Sequence, residues 1–315
     1  MRSVSCDFLM KAEIRQLKEE LSACELSVLK SLGANKLRTQ MSLVGYICRL
    51  VVWLIFWGDK NTKRLKARAA SLVRFFFPTR MRVDNYRQNK DAAVVFYFNH
   101  QSLFEVLAVI WYCLSRYPNK RYVFPVNLPW YEALCPVFDK LRQIGIWITP
   151  MITPNTYKKL VKVAGADEER QMVVRRLKTQ FEEEYFKMVA EFVQSKDIIA
   201  VAPSATRTKY IFPSQAAFSG VDAVAIKTMP RTMSAIVLSI RRSRVESESV
   251  DFVPFVATRR HRAGQGLNIW RRHDVYIGKA ESLPEILVKQ KERTLDYECS
   301  RRLAEFVSGE IIYGP

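Results

Sequence analysis

The stretch FYFNHQSLFE, residues 96–105, decides how the rest of the chain is read. It closes the apolar run AVVFYF, 93–98, which has the length and the β-branched and aromatic content of a buried strand. The run stops at Asn99 and His100. The next segment, SLFEVLAVIWYCL, reads as a helix with Ser102 as N-cap and Glu105 at its third position. The passage is thus strand, polar turn, helix. In open α/β sheets, ligand sites form beyond the carboxyl ends of strands. This reading puts Asn99 and His100 at such an end.

Glu105 has two readings. The pattern S-x-x-E is a capping box, in which the glutamate serves its own helix. Alternatively, a histidine that takes a proton from an alcohol needs a carboxylate to hold its tautomer and stabilise the imidazolium. A strand-to-helix turn folds the helix start back toward the strand end, so Glu105 is within range of His100. Spacing alone leaves both readings open.

Beyond Pro78 the same texture repeats. Strands are expected at 93–98, 122–126, 145–149, 197–202, 235–240, 252–257 and 274–278. Helices are expected at 103–115, 130–143, 156–194 (one or a pair) and 284–308, with 241–251 an exposed loop or hairpin. The alternation predicts an α/β fold with a mixed, mostly parallel central sheet flanked by helices. Residues 79–315 form that domain, and residues 1–78 are a helical, membrane-anchoring region. Within the latter, 9–32 reads as an amphipathic helix ending near Gly33 and 60–76 as a basic helix.

The segment MSLVGYICRLVVWLIFW, 41–57, carries a single charge, Arg49, and is flanked by lysines and arginines. A full span needs about 20 apolar residues. Trp53, Phe56 and Trp57 suit a membrane interface, so the segment is expected to insert in or lie on a membrane. Spanning and lying in one leaflet both remain open, as does a buried core helix. The 50 Lys+Arg against 31 Asp+Glu give +19, which calls for an anionic partner. The six scattered cysteines form no C-x-x-C pair and suit a reducing compartment. With three histidines, His100, His261 and His273, no multi-histidine metal site is expected.

A second strand end resembles the first. In VAPSATRTKY, 201–210, Pro203 stops an apolar run, and Ser204, Thr206, Arg207 and Lys209 follow. An arginine there can hold a phosphate bidentately. The plain alternative is a surface loop in a basic protein.

Taken in order, NHQSLFE (99–105), GIWITP (145–150), APSATR (202–207) and VPFV (253–256) resemble the blocks of the glycerolipid acyltransferase superfamily, the 1-acylglycerol-3-phosphate acyltransferases, over roughly residues 80–285. That family carries N-H-x-x-x-x-D, G-x-x-F/W-I-x-R, F-P-E-G-T-R and V/L-P-V. Here Glu105 stands for the aspartate. Thr149 and Pro150 occupy the place of the second block's arginine, and Ser204-Ala205 the place of Glu-Gly.

The resemblance implies an O-acyltransferase on the cytoplasmic face of a membrane. His100 would be the general base, Glu105 its orienting carboxylate, and Arg207 the anion-binding group with Lys209. Asn99, Ser204 and Thr206 would be polar groups of the acceptor site. The acyl donor would be acyl-CoA or acyl-carrier protein, the acceptor a lysophospholipid or glycerol phosphate, with no metal or other cofactor. Anionic membrane lipid would account for the charge, and no nucleic acid is expected.

Two rival readings compete. A nucleic-acid-binding protein would use basic runs such as TRRHR, 258–262, and WRRH, 270–273, though no nucleic-acid motif accompanies them. A non-catalytic lipid-binding protein on the same fold would explain the altered second and third blocks. A serine hydrolase is disfavoured, since Ser204 has no glycine elbow.

Overall fold

The computed structural model describes residues 43–59, 61–76, 78–87, 89, 91–98, 103–203, 232–242, 249–259, 273–282, 295, 299 and 303. The reading of 9–32 lies outside them, as do residues 243–248 of the loop or hairpin expected at 241–251 and most of 284–308; Arg241 and Arg242 instead end a helix, and Val250 and Asp251 open a strand in which Val250 is fully buried.

Among the described residues two helices come first: α1 (Leu43–Phe56) and α2 (Thr62–Phe76). Then follow β1 (Thr79–Asp84), β2 (Ala93–Phe98), α3 (Leu103–Arg116), β3 (Tyr122–Asn127), α4 (Leu128–Arg142) and β4 (Ile146–Met151). The chain continues through α5 (Pro154–Ala164), α6 (Glu168–Gln194), β5 (Ile198–Val201), α7 (Thr232–Arg242), β6 (Val250–Arg259), β7 (His273–Ile277) and β8 (Glu281–Ser282). The sheet order is β1-β7-β6-β2-β5-β3-β4, with β8 paired to β6. The pairs β2–β5, β2–β6, β3–β5, β3–β4 and β1–β7 are parallel, whereas β6 meets β7 and β8 antiparallel. This is the expected mixed, mostly parallel sheet between helices.

Strand β2 lies inside the sheet and every one of its residues is buried. Its side chains divide with the period of two that a strand imposes. Val94, Phe96 and Phe98 enter one core with Val109 and Tyr112 of α3. Ala93, Val95 and Tyr97 enter the opposite core with Val189 and Phe192 of α6 and Ile236 of α7. A strand covered on both faces must be apolar throughout, which is why the run is unbroken.

Helix boundaries follow local chemistry. Asn61 Oδ1 accepts from the N–H groups of Lys63 and Arg64, at 3.1 and 3.2 Å, and starts α2. Thr153 caps α5, with Pro154 at its first position. Gly165, at φ 64, ends it, and Asp167 then caps α6 through the Arg170 N–H at 3.1 Å. The stretch 156–194 is therefore a helix pair. Pro136 lies inside α4, which is kinked at Leu134 (φ −118, ψ 16).

One element differs from expectation. Residues 235–240, AIVLSI, belong to helix α7 and not to a strand. Met233, Ile236, Val237 and Ile240 are all fully buried, while Leu238 is 41% exposed. That is a 3.6-residue period, visible only once Met233 is counted with the apolar run. Strand β1, TRMRVD, and the two-residue β8 have too few apolar residues to have been anticipated.

Helices α1 and α2 share the domain's core: Ile55, Leu65 and Ala69 are buried in the cluster that holds Phe96 and Tyr112. Lys66 adds a polar tie. Its ammonium donates to Pro118 O at 2.6 Å and Lys120 O at 3.0 Å, and lies 5.4 Å from the centre of the Tyr122 ring. Burial pushes its pKa below the lysine range, partly offset by Asp197. The folded state therefore holds this proton less tightly than the unfolded chain does. Stability rises with pH from the lowered folded value up to the ordinary lysine value. Lys66→Met is expected to flatten that alkaline rise and, by leaving two carbonyls without a donor, to lower stability at neutral pH by about 1–2 kcal/mol. Urea unfolding at a series of pH values checks both; an unchanged pH slope would remove Lys66 as its source.

Candidate functional site

Sheet connectivity singles out one end of the molecule. From β2 the chain moves past β5 to β3, and α3 covers the face that carries Phe96. From β5 it moves the other way, past β2 to β6, and α7 covers the opposite face. Adjacent strands β2 and β5 thus send their chains to opposite faces of the sheet. Their carboxyl ends form a topological switch point, where α/β sheets open a crevice.

The register fixes which residues reach it. Tyr97 pairs with Val201, so Phe98 and Ala202 end side by side, about 4.8 Å apart. Asn99, His100, Ser204, Thr206, Arg207 and Lys209 all lie outside the described residues. On the other side, Tyr97 pairs with Pro254 and Phe98 with Phe255. Three of the four sequence blocks therefore belong to three neighbouring strands. The second block, on β4, stands three strands from β2, about 14 Å away.

Among the candidate catalytic residues, Glu105 is described. It occupies the first turn of α3 and is 6% exposed. Carboxylates are almost never buried unpaired, and Glu105 is not without a partner.

At the β4 end, Thr149 is 3% exposed and its Oγ1 donates to Phe124 O at 3.3 Å. Its hydroxyl is used within the sheet. Polar groups not singled out from the sequence lie close by. Thr156 Oγ1 donates to Asn127 Oδ1 at 2.9 Å, and Thr153 Oγ1 to Thr156 Oγ1 at 3.3 Å. Asn127 ends β3 as Asn99 follows β2. The signal that drew attention to Asn99, an apolar run turning polar, was present at VN, 126–127.

The opposite end of the sheet is held by structural pairs. Arg121 joins Asp197 at 2.7 Å and Glu191 at 3.0 Å. Tyr86 donates to Asp251 Oδ2 at 2.9 Å, and Tyr112 to Asp84 at 3.2 Å. Burial raises the pKa of Asp251, partly offset by the Tyr86 bond and Lys120. Since the folded state binds this proton more tightly than the unfolded chain, ionised Asp251 costs stability, and the cost falls away as pH drops through the raised value. Asp251→Asn, which still accepts from Tyr86, is expected to steepen the loss of stability on acidification below neutral pH. Parallel acid-unfolding curves for the two proteins would exclude that role.

His273 begins β7, paired with Arg259 and with Thr79. His261 lies outside the described residues. Of the interfacial trio, Trp53 and Trp57 are 55% and 62% exposed. Phe56 instead packs half-buried against Val52, Ala133 and Val137, with Lys140 Nζ 5.8 Å from its ring centre. Among the described residues no group of three or more His, Cys, Asp or Glu is placed to hold a metal ion. No helix among them is long and apolar enough to cross a membrane. No protein-family model matches the chain, and no curated protein matches it.

Proposed function

We propose that this protein is a membrane-associated O-acyltransferase of the glycerolipid type, acting on the cytoplasmic face of an anionic membrane. One observation carries the reading. The histidine segment and the arginine segment leave adjacent strand ends at the switch point, and the carboxylate five residues after the histidine is buried in the first turn of α3, the helix that follows β2.

In this reading His100 takes the proton of an acceptor hydroxyl. The hydroxyl oxygen attacks the thioester carbonyl of acyl-CoA or acyl-carrier protein. The C–O bond forms, the C–S bond breaks, and the imidazolium returns the proton to the departing thiolate. Glu105 orients the ring and stabilises its charged form. Arg207 and Lys209 bind the acceptor's phosphate or other anionic group, with Asn99, Ser204 and Thr206 as neutral polar partners. The acceptor is a lysophospholipid or glycerol phosphate, no metal takes part, and the cationic surface holds the enzyme where such a lipid lies.

The test is acyl transfer by the purified chain in anionic vesicles, with labelled acyl-CoA or acyl-carrier protein and a set of lysophospholipids and glycerol 3-phosphate. Labelled diacyl product, or lysophosphatidate from glycerol 3-phosphate, is expected. Vesicle-bound, folded protein that forms no product with any pair would favour a non-catalytic lipid-binding role. That second reading draws on Thr149, whose hydroxyl is spent inside the sheet where the family has an arginine.

A further inference from the structure

Helix α1 has two unlike faces. Val52 and Ile55 are 8% and 2% exposed and pack on the domain. Tyr46, Leu50, Trp53 and Trp57 follow at i, i+4, i+7 and i+11, one side of a helix, and are 48–62% exposed. The Trp53 and Trp57 rings pack together, 4.3 Å between centres. Phe75, near the end of α2, is 65% exposed. Of the eight large apolar side chains exposed among the described residues, five thus belong to this one helical pair. Such clustering marks a contact surface, whereas scattered exposed apolar residues need no explanation.

The chemistry selects the partner. Between residues 43 and 76 the only acid is Asp59, against seven lysines and arginines. Of these, Arg49, Lys63, Arg64 and Arg74 are exposed. Large amphipathic aromatics ringed by cations fit the headgroup layer of an anionic bilayer. The geometry excludes a span by α1 as described. Fourteen residues reach about 21 Å against a hydrocarbon core of about 30 Å, and Val52 and Ile55 are already buried against the domain. Arg68 then locks the end of the helix, donating to Ile55 O at 3.0 Å and Trp57 O at 2.7 Å.

We propose that α1 lies in the plane of one leaflet of an anionic bilayer and inserts its Tyr46–Leu50–Trp53–Trp57 face sideways, with Phe75 at the rim of the same contact. The inference rests on the membrane half of the proposed function and stands without its chemistry. Phe75 also ties the contact to the candidate site. It comes four residues before Thr79, which lies at the sheet end where β2 and β5 terminate.

The experiment is binding of the purified full chain to sucrose-loaded vesicles, of phosphatidylcholine alone or mixed with phosphatidylglycerol, without any acyl donor. The variants are W53S/W57S and, as a control, M172S, which removes an apolar side chain exposed elsewhere. Wild type is expected to prefer the anionic vesicles, and W53S/W57S to bind at least ~10-fold more weakly with M172S unchanged. Brominated lipids are expected to quench the Trp53 and Trp57 signal, taken as wild type minus double variant, most strongly with bromine near the headgroup. Equal binding by wild type and W53S/W57S would overturn the proposal. So would strongest quenching at the bilayer centre, or a lipid-free dimer that the double variant converts to monomer, which would assign the face to a second copy. Circular dichroism of each variant checks folding. Because no turnover is read, loss of the acyltransferase reading would leave this result intact.

Discussion

His100→Ala is expected to lower acyl transfer at least ~10²-fold, the usual cost of a lost general base, while vesicle binding and the unfolding transition stay as in wild type. Full activity in the variant would remove His100 from the chemistry. Glu105→Gln separates the two readings of the carboxylate. If Glu105 orients the histidine, kcat is expected to fall about 10- to 100-fold. The acid limb of the pH–rate profile is then expected to move to lower pH, because a neutral amide no longer favours the imidazolium. If Glu105 only caps α3, stability falls by about 1 kcal/mol and the acid limb stays in place. Glu105 is 6% exposed, so its partner in either role lies within the protein, and the acid limb decides between the two.

The largest expected effect on stability lies elsewhere, at Gly278. Between β7 and β8 the chain passes Pro254 of β6, and the Gly278 N–H donates to Pro254 O at 3.0 Å. A Cβ built on Gly278 would stand 2.4 Å from Pro254 Cγ. The ladder runs from Phe255–Ile277 on one side to Phe252–Glu281 on the other, with a gap between. Such a gap is where a strand proline, which cannot donate to a neighbour, is tolerated. Gly278→Val must push the two strands apart beside β2, and is expected to cost about 3 kcal/mol in urea unfolding. A variant within about 0.5 kcal/mol of wild type would mean that the strands part freely. Since β6 is the direct neighbour of β2, a loss of acyl transfer alongside lost stability is also expected.

Much of the fold was legible in the residues because its signals are local. A strand buried on both faces is an unbroken apolar run, as at 93–98, and helix starts are written in side chains such as Asn61, Thr153 and Asp167 that accept from their own backbone. The polar ends of β2 and β5 were visible for the same reason. Residues 235–240 misled because a short apolar run fits strand and helix alike, and its packing partners decide between them. Asn127 and Thr156 escaped notice because they are 29 positions apart and meet through the β3–β4 pairing.

Composition, periodicity and caps thus determined the α/β class, most of the elements and the candidate residues His100, Glu105 and Arg207. These properties depend on neighbours within a turn or a few strand residues. Only the tertiary structure decided that β5 lies between β2 and β3, which makes the ends of β2 and β5 neighbours at a switch point. It alone decided that Glu105 is buried, that 232–242 is a helix, and which half of α1 faces the core. The reason is physical: an apolar side chain encodes that it will be covered, and the strand order and helix crossings encode by what.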